Sequence, residues 1–147
     1  MKILVINGPN INMLGIREPG IYGKSSYQDL LELLGQTAQQ TGLEIEEFQS
    51  NHEGSIVDKI QWCYQKVDAI VINPAAYTHT SVAILDALKA VAIPAVEVHI
   101  SDVDARETFR QISYPGLYCE KTIKGHGIEG YREAILYLRD KYEKTSG

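Results

Sequence analysis

Short apolar runs alternate along the chain with longer stretches in which apolar residues recur at helical spacing. Five runs have the length and composition of β-strands: Ile3–Ile6, Leu43–Phe48, Ala69–Ile72, Ala95–Ile100 and Tyr118–Ile123. Strands that are apolar almost throughout are typical of a parallel sheet covered on both faces. The alternation of strand and helix therefore predicts consecutive βαβ units.

The stretches between these runs carry the signals of amphipathic helices. Ser26, with Asp29 three residues later, resembles a capping box, and Gly42 marks the end of that helix. A later helix is predicted from about Thr80 to Ala92. The apolar residues expected to face inward, helix by helix, are Leu30, Leu31, Leu34 and Ala38; Ile56, Val57, Ile60 and Tyr64; Val82, Leu85 and Leu88; and Tyr131, Ile135, Leu138 and Tyr142.

These elements predict an α/β protein with one domain over residues 1–147. Its expected architecture is a flavodoxin-like three-layer sandwich with a five-stranded parallel sheet and right-handed crossovers. The length of 147 residues suits a single core. In such folds a ligand binds beyond the carboxyl ends of the strands, so the residues that follow each strand are the candidates for chemistry.

Charge and composition narrow the functional classes. The formal net charge is −5 and no basic run is present, which disfavours nucleic-acid binding. No stretch approaches the roughly 20 apolar residues of a membrane helix, and the N-terminal run is too short for a signal peptide. Cys63 and Cys119 are expected to be free thiols, since a domain of this size needs no disulfide. We expect a cytoplasmic protein.

Polar side chains gather where the predicted strands end. Asn10, Asn51, Asn73 and His99 stand at or just after four successive strand ends. Any one of them can be explained as a turn residue. Four in succession favour a binding site at which they converge.

Glu97 and His99 are two residues apart in a predicted strand, so both side chains point to the same face. A carboxylate there can orient the imidazole and favour its charged form, which suits a general acid. A structural histidine with a satisfied partner is an equally good interpretation of this pair alone. The next residues, Ile100 and Ser101, offer backbone N–H groups and a hydroxyl that can cradle a carboxylate.

The loop over residues 15–23 is long for a strand-to-helix connection and has the proline and glycine content of a lid. It carries Arg17 and Tyr22. A phenol with a pKa near 10 acts as a base at neutral pH only if its pKa falls to about 7, a change of ~4 kcal/mol. A guanidinium about 4 Å away supplies ~4 kcal/mol at an effective dielectric of about 20, whereas burial opposes ionisation. Arg17 alone is therefore marginal, and further hydrogen-bond donors are needed to lower the pKa of Tyr22 enough. From this loop alone, the simpler interpretation is packing for Tyr22 and an ion pair with Glu18 for Arg17.

Several other motifs carry weaker signals. His79 and Asp86 are two helical turns apart and could grip vicinal substrate hydroxyls if the helix extends back to His79; otherwise Asp86 is a solvated position. Residues 125–130 fit G-x-G-x-x-G but follow the last strand, so we interpret them as a tight turn. The histidines lack metal-ligand spacing, and Ser81 lacks the nucleophile elbow of a hydrolase.

Four ordered blocks of sequence carry a resemblance to a known family. They are residues 7–15 with 17–19 and 22–23; residues 49–54; residues 72–74 with 77–81; and residues 97–101 with 105–107 and 109–110. These blocks resemble the type II 3-dehydroquinate dehydratases, and the similarity covers nearly the whole chain. The resemblance implies dehydration of 3-dehydroquinate to 3-dehydroshikimate in the shikimate pathway, with no cofactor or Schiff base.

The resemblance also implies a role for each candidate residue. Tyr22, as a phenolate, removes the proton next to the ring ketone to give an enolate, and His99, beside Glu97, protonates the departing hydroxyl in an anti elimination. Arg17 keeps Tyr22 ionised, and Asn10 helps to hold a water at the enolate oxygen. The remaining residues that match substrate contacts are Asn73, His79, Asp86 and Arg110 for hydroxyl groups, and Ile100 and Ser101 for the carboxylate.

Family members commonly form homo-dodecamers built from trimers, in which Asp86 reaches towards the site of a neighbouring subunit. This chain departs from many relatives at Asp104, Gln111 and Ile112, where they have histidines, and at Ala75, where they have glycine. Two other functions stay open: a non-enzymatic flavodoxin-like binding module, and a Schiff-base dehydratase that uses Lys24. Yellow colour from a flavin would reveal the first, and borohydride inactivation with substrate would reveal the second.

Overall fold

The parallel sheet is the centre of the fold. The computed structural model describes residues 1–16, 25–102 and 107–143. Its strands are β1 (Lys2–Asn7), β2 (Glu44–Gln49), β3 (Ala69–Asn73), β4 (Ala95–His99) and β5 (Lys121–Lys124). Each neighbouring pair is parallel, in the order β2-β1-β3-β4-β5. The five-stranded parallel sheet predicted from the sequence is confirmed.

Helices cover both faces of this sheet. They are α1 (Tyr27–Thr41), α2 (Glu53–Trp62), α3 (Val82–Val91) and α4 (Glu129–Tyr142). Short 3₁₀ turns lie between these elements, at Ile11–Met13, Ala75–His79, Thr108–Arg110 and Pro115–Leu117. Buried residues of α1 and α4 share one apolar cluster, and those of α2 and α3 share the other. This gives the three layers of the expected flavodoxin-like architecture.

Side-chain alternation in β1 divides the core into its two halves. Ile3 and Val5 belong to the cluster beneath α1 and α4, whereas Leu4 and Ile6 belong to the cluster beneath α2 and α3. Successive residues of a strand point to opposite faces, so a strand covered on both sides favours apolar residues at nearly every position. That preference explains the continuous apolar run from which β1 was predicted.

The start and end of α1 follow the predicted signals. The Ser26 hydroxyl accepts a hydrogen bond from the Asp29 backbone N–H at 3.1 Å, and the Ser26 N–H donates to the Asp29 carboxylate at 2.9 Å. Gly42 ends the helix with φ of +74°, and its N–H donates to the Ala38 carbonyl at 2.9 Å. The reciprocal capping box is therefore confirmed.

The buried face of α1 differs from the prediction. Leu30 and Leu34 are buried as expected, but Leu33 and Thr37 complete the face, and Leu31 and Ala38 are only partly buried. Positions i, i+3, i+4 and i+7 from Leu30 lie along one stripe of a helix, and Leu31 lies outside it.

Two other residues predicted to face inward are exposed. Tyr64 lies beyond the end of α2 at Trp62 and is 56% exposed, while Cys63 is buried there. Val82 is the first residue of α3 and is 49% exposed, because the side chain of Ser81 caps the helix and the buried stripe begins at Ile84. Hydrophobic spacing predicted both helices correctly but not the residue at which α2 ends or at which the buried face of α3 begins.

The two edge strands also differ from the prediction. β2 was expected to be apolar at nearly every position, but none of its residues is buried, and its Glu44 and Glu46 each lie 3.3 Å from the ammonium of Lys2. Charged side chains are common on edge strands, which cannot be buried on both sides. β5 starts at Lys121 rather than Tyr118, because the turn at Pro115–Leu117 accepts the N–H of Tyr118.

A tight turn joins β5 to α4, as predicted for residues 125–130. Gly125 and Gly127 have φ of +82° and +61°, the left-handed region that favours glycine. Gly130 lies against the sheet, where an added Cβ would be 3.3 Å from side-chain atoms of Ile123 and Val98. The glycine motif therefore serves backbone geometry and close packing.

Two further expectations concern the chain as a whole. Cys63 and Cys119 are free thiols, as predicted. Within the described ranges, no helix has both the length and the apolar content needed to cross a bilayer.

The loops after β1 and β3 approach each other as closely as backbones can. The Gly8 N–H donates to the Asn73 carbonyl at 2.8 Å, and a Cβ added to Gly8 would lie 2.3 Å from the Pro74 carbonyl oxygen. Real Cβ contacts are never this short. Only glycine fits, and the loops cannot separate without breaking the ladder between the two strands.

Replacement of Gly8 by alanine is expected to lower the free energy of unfolding by about 3 kcal/mol or more, since the clash is with backbone rather than with a movable side chain. Gly35→Ala is the matched control. Gly35 lies in α1 with no atom within 4 Å of an added Cβ, so alanine there should stabilise the protein by about 1 kcal/mol. Urea unfolding of both variants measures this, and equal midpoints would contradict the assignment.

Candidate active site

A cavity of about 260 Å³ opens beside β4. The 3₁₀ turns before α3 and before β5 form its rim, and β4 and β5 form its floor. The residues that line it include Thr78, His79, Glu97, His99, Arg110 and Ser113. Four of the residues predicted from the sequence therefore share one cavity: Glu97, His99, His79 and Arg110.

Glu97 and His99 form a buried hydrogen-bonded pair. The Nε2 atom of His99 lies 2.7 Å from the Oε2 atom of Glu97, and the two side chains are 5% and 1% exposed. Their spacing of two residues along β4 places both on the same face, as predicted. Because Glu97 holds Nε2, the Nδ1 atom is the ring nitrogen through which His99 can exchange a proton with a ligand.

Two hydroxyls complete the environment of the Glu97 carboxylate. Ser113 donates to Oε2 at 2.7 Å and Thr122 donates to Oε1 at 3.0 Å. Burial acts to raise the pKa of this carboxyl, but the hydrogen bonds from His99, Ser113 and Thr122 outweigh it, and the pKa is lowered. Glu97 is thus an anion at neutral pH with a fixed orientation.

Ser113, Thr122 and Gly116 were missed in the sequence. Thr122 is the register partner of Glu97 across β4 and β5, and Gly116 donates its N–H to the Ser113 hydroxyl at 3.0 Å. A Cβ on Gly116 would lie 2.8 Å from a Glu97 oxygen. The pairing register was the one signal that could have indicated Thr122, and it required the start of β5 to be placed correctly.

His79 reaches the cavity from a turn rather than from a helix. α3 begins at Val82, so the helical face that we expected His79 and Asp86 to share does not exist. The Nδ1 of His79 donates to the Ile112 carbonyl at 2.7 Å, which directs the ring to the cavity wall. Asp86 is exposed on α3 and lies outside the cavity lining within the described part of the chain.

Ser81 is a helix cap. Its buried hydroxyl accepts the N–H of Ile84 at 3.0 Å at the start of α3. This bond explains the serine without any nucleophilic role, in agreement with the absence of a hydrolase motif around it.

Two more polar groups face the cavity. Arg110 lines the cavity, and its Nε lies 2.7 Å from the Glu107 carboxylate in an ion pair that lacks hydrogen-bond geometry. Thr78, which the sequence analysis missed, is fully buried, and its hydroxyl has no hydrogen-bond partner among the residues that the structure describes. An amide-like or hydroxyl group on a ligand would satisfy it.

Asn10 and Asn51 come together as the sequence predicted. Asn10 adopts a left-handed conformation with φ of 70°, and its N–H donates to the Asn51 side-chain oxygen at 3.0 Å. Gln49 ties the same loop down by donating to the Gly8 carbonyl at 3.1 Å and to the Asn51 oxygen at 3.2 Å. The loop that carries Asn10 is therefore anchored to the end of β2.

Asn73 lies deeper than expected. It is 3% exposed; its Nδ2 donates to the hydroxyl of Tyr131 at 2.9 Å, and its Oδ1 accepts the N–H of Ala75 at 3.1 Å. Tyr131 was predicted as an apolar core residue of α4 and is fully buried, but it also has this polar contact. Sequence periodicity predicted that its ring would be buried but gave no indication of the hydrogen bond made by its hydroxyl.

The glycine turn after β5 fixes the end of β4. Gly125 donates its N–H to the His99 carbonyl at 3.2 Å, and Gly127 donates to the Ile100 carbonyl at 3.0 Å. Ile100 is buried and Ser101 is partly exposed. The two residues expected to cradle a carboxylate therefore have a defined backbone path directly after His99.

Some predicted features fall outside the described residues. Arg17, Tyr22 and Lys24 lie in the segment 17–24, and Asp104 lies in the segment 103–106. Over the described ranges, no group of three or more histidine, cysteine or acidic side chains could hold a metal ion.

Comparison with known proteins adds to this geometry. A family model described as dehydroquinase class II matches residues 1–139. The chain belongs to this family. The 3-dehydroquinate dehydratase of Caldicellulosiruptor bescii is 56% identical to this dehydroquinase over 140 residues, which cover 95% of the chain and 97% of the relative.

Solved structures of the family have the same fold. The type II dehydroquinase of Butyrivibrio crossotus superimposes with a TM-score of 0.93 at 52% identity, covering 95% of this chain and 97% of that one. The type II dehydroquinase of Propionibacterium acnes gives a TM-score of 0.90 at 40% identity, over 95% and 96% of the two chains. The resemblance stated from the motifs is confirmed.

Replacement of Glu97 by glutamine tests the buried carboxylate of this dehydroquinase. The amide nitrogen of the glutamine would face a hydroxyl or ring donor. We therefore expect the free energy of unfolding at pH 7 to be about 3–5 kcal/mol lower than that of the wild type. Because the folded pKa lies below the unfolded value of about 4.3, this stabilisation is complete above that pH and is lost as the pH falls through the folded pKa.

The measurement is urea unfolding of both proteins at pH 7 and at several values below 4.3. The gap between wild type and Glu97→Gln should narrow on acidification. Glu44→Gln is the control, since Glu44 is 67% exposed and its ion pair should contribute less than about 1 kcal/mol. A gap that does not change with pH would show that the charge of Glu97 is not what stabilises the site.

Proposed function

We propose that this dehydroquinase removes water from 3-dehydroquinate by an anti elimination through an enolate, with Tyr22 as the base and His99 as the acid. The overall reaction, dehydration by a hydro-lyase of the type II class, follows from membership of the family. The assignment of His99 as the acid, and so of Tyr22 as the base, is supported by the buried Glu97–His99 pair that lines the cavity beside β4.

His99 serves the leaving group. As the C–O bond breaks, the Nδ1–H of His99 passes its proton to the departing hydroxyl, which leaves as water. Glu97 accepts a hydrogen bond from the opposite ring nitrogen and stays ionised, so it fixes the orientation of the ring from which the proton comes. Ser113 and Thr122 keep the carboxylate from turning away.

Tyr22 serves the other half of the reaction. Its phenolate takes the proton from the carbon next to the ketone, and the electron pair moves onto the carbonyl oxygen to form an enolate. Arg17 favours the phenolate by its charge, and Asn10 helps to hold a water that donates a hydrogen bond to the enolate oxygen. When the hydroxyl leaves, the enolate collapses to the conjugated enone.

The remaining candidates hold the substrate in this proposal. Ile100 and Ser101, at the fixed end of β4, receive the carboxylate, and His79 and Arg110 contact hydroxyl groups from the cavity rim. Asn73 is placed at the end of β3 to contact another hydroxyl. The sixth, Asp86, is exposed on α3, which suits a contact with a neighbouring subunit.

We also propose that the protein assembles as a homo-dodecamer built from trimers and that its 147 residues act as one domain in the cytoplasm. Two exposed apolar side chains, Ile112 and Leu117, line the cavity, and Phe109 and Val82 of α3 are exposed as well. Apolar patches of this kind mark contacts with other chains. Asp86 lies on the same helix as Val82 and would enter the neighbour's site in such a contact.

The test of the reaction is the rise in ultraviolet absorbance of the conjugated enone after 3-dehydroquinate is added. Wild type should give the rise, whereas Tyr22→Phe and Arg17→Ala should each lower kcat by at least about 100-fold with an unchanged circular dichroism spectrum. The matched control is Tyr64→Phe, which removes an exposed phenol and should keep wild-type kcat. An active Tyr22→Phe enzyme would remove the proposed base.

The assembly is tested by light scattering and by subunit mixing. Twelve chains of 16.4 kDa give a particle of about 197 kDa. Asp86→Ala and His99→Ala should each be inactive alone, but co-expressed chains should recover about a quarter of wild-type activity, because some sites then combine an intact His99 with a neighbour's intact Asp86. No recovery in mixed particles would place Asp86 in the site of its own chain.

A further inference from the structure

A chain of hydrogen-bonded side chains runs through the interior beneath the ends of β1 and β3. Asn73 donates to the hydroxyl of Tyr131 at 2.9 Å, and Tyr131 donates to the Oδ1 atom of Asn7 at 2.6 Å. Asn7 donates in turn to the Glu47 carboxylate at 2.9 Å, which also accepts from the hydroxyl of Tyr27 at 2.7 Å. Five side chains from α1, α4 and three strands are thus joined.

The donors in this network converge on the Glu47 carboxylate. A carboxylate can only accept, so Glu47 fixes the Asn7 amide with its nitrogen towards Glu47 and its oxygen towards Tyr131. The Tyr131 hydroxyl has one proton, which goes to that oxygen, and its lone pair then accepts the Asn73 amide. The orientation of the Asn73 carboxamide is therefore set from two sides: by this chain of hydrogen bonds from Glu47 to its nitrogen, and by the Ala75 N–H that donates to its oxygen.

Burial makes this orientation rigid. Asn7 and Tyr131 are fully buried, and Asn73 is nearly so. Burial raises the pKa of the Tyr131 phenol, so it is a neutral hydroxyl, able both to donate and to accept, throughout the physiological pH range. A reversed amide would leave buried donors and acceptors unpaired, which is strongly unfavourable.

The network ends at the carboxyl edge of the sheet. Asn7 and Asn73 are register partners and the last residues of β1 and β3. The chain continues from Asn7 into the loop that carries Asn10, and from Asn73 into the turn that carries His79. The Tyr131 hydroxyl bridges the two strand ends from below, at the level where both loops begin.

We propose that Tyr131 is a positioning residue for the elimination and acts through Asn73. The Asn73 amide nitrogen has two hydrogens, and Tyr131 accepts one of them, which aims the second at the edge of the sheet. The inference rests on the proposed function, in which Asn73 contacts a substrate hydroxyl. α4 thereby contributes to the geometry of a site that none of its residues touches.

A double-mutant cycle separates positioning from a merely structural role. Tyr131→Phe keeps the ring and removes the hydroxyl, so the Asn73 amide loses its acceptor. We expect kcat/KM to fall about tenfold in an otherwise wild-type chain, and by less than twofold when Asn73 is already alanine. An equal fold-loss in both backgrounds, or no loss in the wild-type background, overturns the proposal.

Tyr27→Phe is the matched control, since it cuts the same network at its far end. It removes a hydroxyl that donates to Glu47 and leaves the contacts of Asn73 in place. We expect a lower melting temperature in both tyrosine variants, but a kcat/KM within twofold of wild type for Tyr27→Phe. A tenfold loss in Tyr27→Phe would mean that kinetics follow general loosening of the core, and would overturn the proposal.

A second variant covers the case in which Tyr131→Phe does not fold. Asn7→Ala removes the oxygen that holds the Tyr131 proton, so the hydroxyl can turn that proton towards Asn73 and stop accepting from it. The same cycle with Asn73→Ala should again be non-additive. Additive losses overturn the proposal here too.

The outcomes also separate this inference from the function on which it rests. No enone formation by the wild type rejects the proposed reaction. Turnover by the wild type with full activity in Asn73→Ala rejects the contact between Asn73 and substrate, and Tyr131 with it. Turnover that depends on Asn73 but not on Tyr131 rejects the positioning role alone.

Discussion

A carboxylate buried in the middle of β4 constrains the structure around it. A buried anion is strongly unfavourable unless hydrogen bonds replace its hydration, and Glu97 obtains them from His99, Ser113 and Thr122. Each donor comes from a different place: His99 from the same strand, Ser113 from the segment between the turns at Thr108–Arg110 and Pro115–Leu117, and Thr122 from β5. The need to satisfy one charge therefore fixes the floor and one wall of the cavity.

The two buried polar networks, one around Glu97 and one beneath β1 and β3, have different roles. Around Glu97 the donors converge on a charge that faces the cavity, which suits proton transfer. Beneath β1 and β3 they form a line from Asn73 to Glu47, away from the cavity, which suits positional control. In both cases the final acceptor is a carboxylate, and this removes the freedom of every hydroxyl and amide upstream.

Much of the fold was predictable because its signals are local. Continuous apolar runs marked the central strands, and the capping box at Ser26 and the stop at Gly42 marked α1. The predicted ends of helices and strands were wrong where tertiary contacts determine them. Spacing could not show that Ser81 caps α3 and so leaves Val82 exposed, nor that a proline turn delays β5 to Lys121.

In the candidate site too, residues with a local sequence signal were predicted, and residues that depend on tertiary contacts were missed. Glu97 and His99 were recognisable because a spacing of two residues in a strand implies a shared face. Ser113, Thr122 and the hydroxyl of Tyr131 were not, because each meets its partner across a long stretch of sequence, and only the assembled sheet brings them together. Motif resemblance supplied roles for Tyr22 and Arg17 that spacing alone did not.

The position of Thr122 on the last strand has a consequence for how the protein matures. β1 to β4 can pair as the ribosome delivers them, but β5 is the final strand of the sheet to be synthesised. Until it docks, Glu97 lacks the hydrogen bond from Thr122, and the cavity lacks the part of its floor that β5 forms. A nascent chain with four paired strands would also lack α4, which follows β5 and covers one face of the sheet, so the environment of Glu97 is complete only when the last strand and helix are in place.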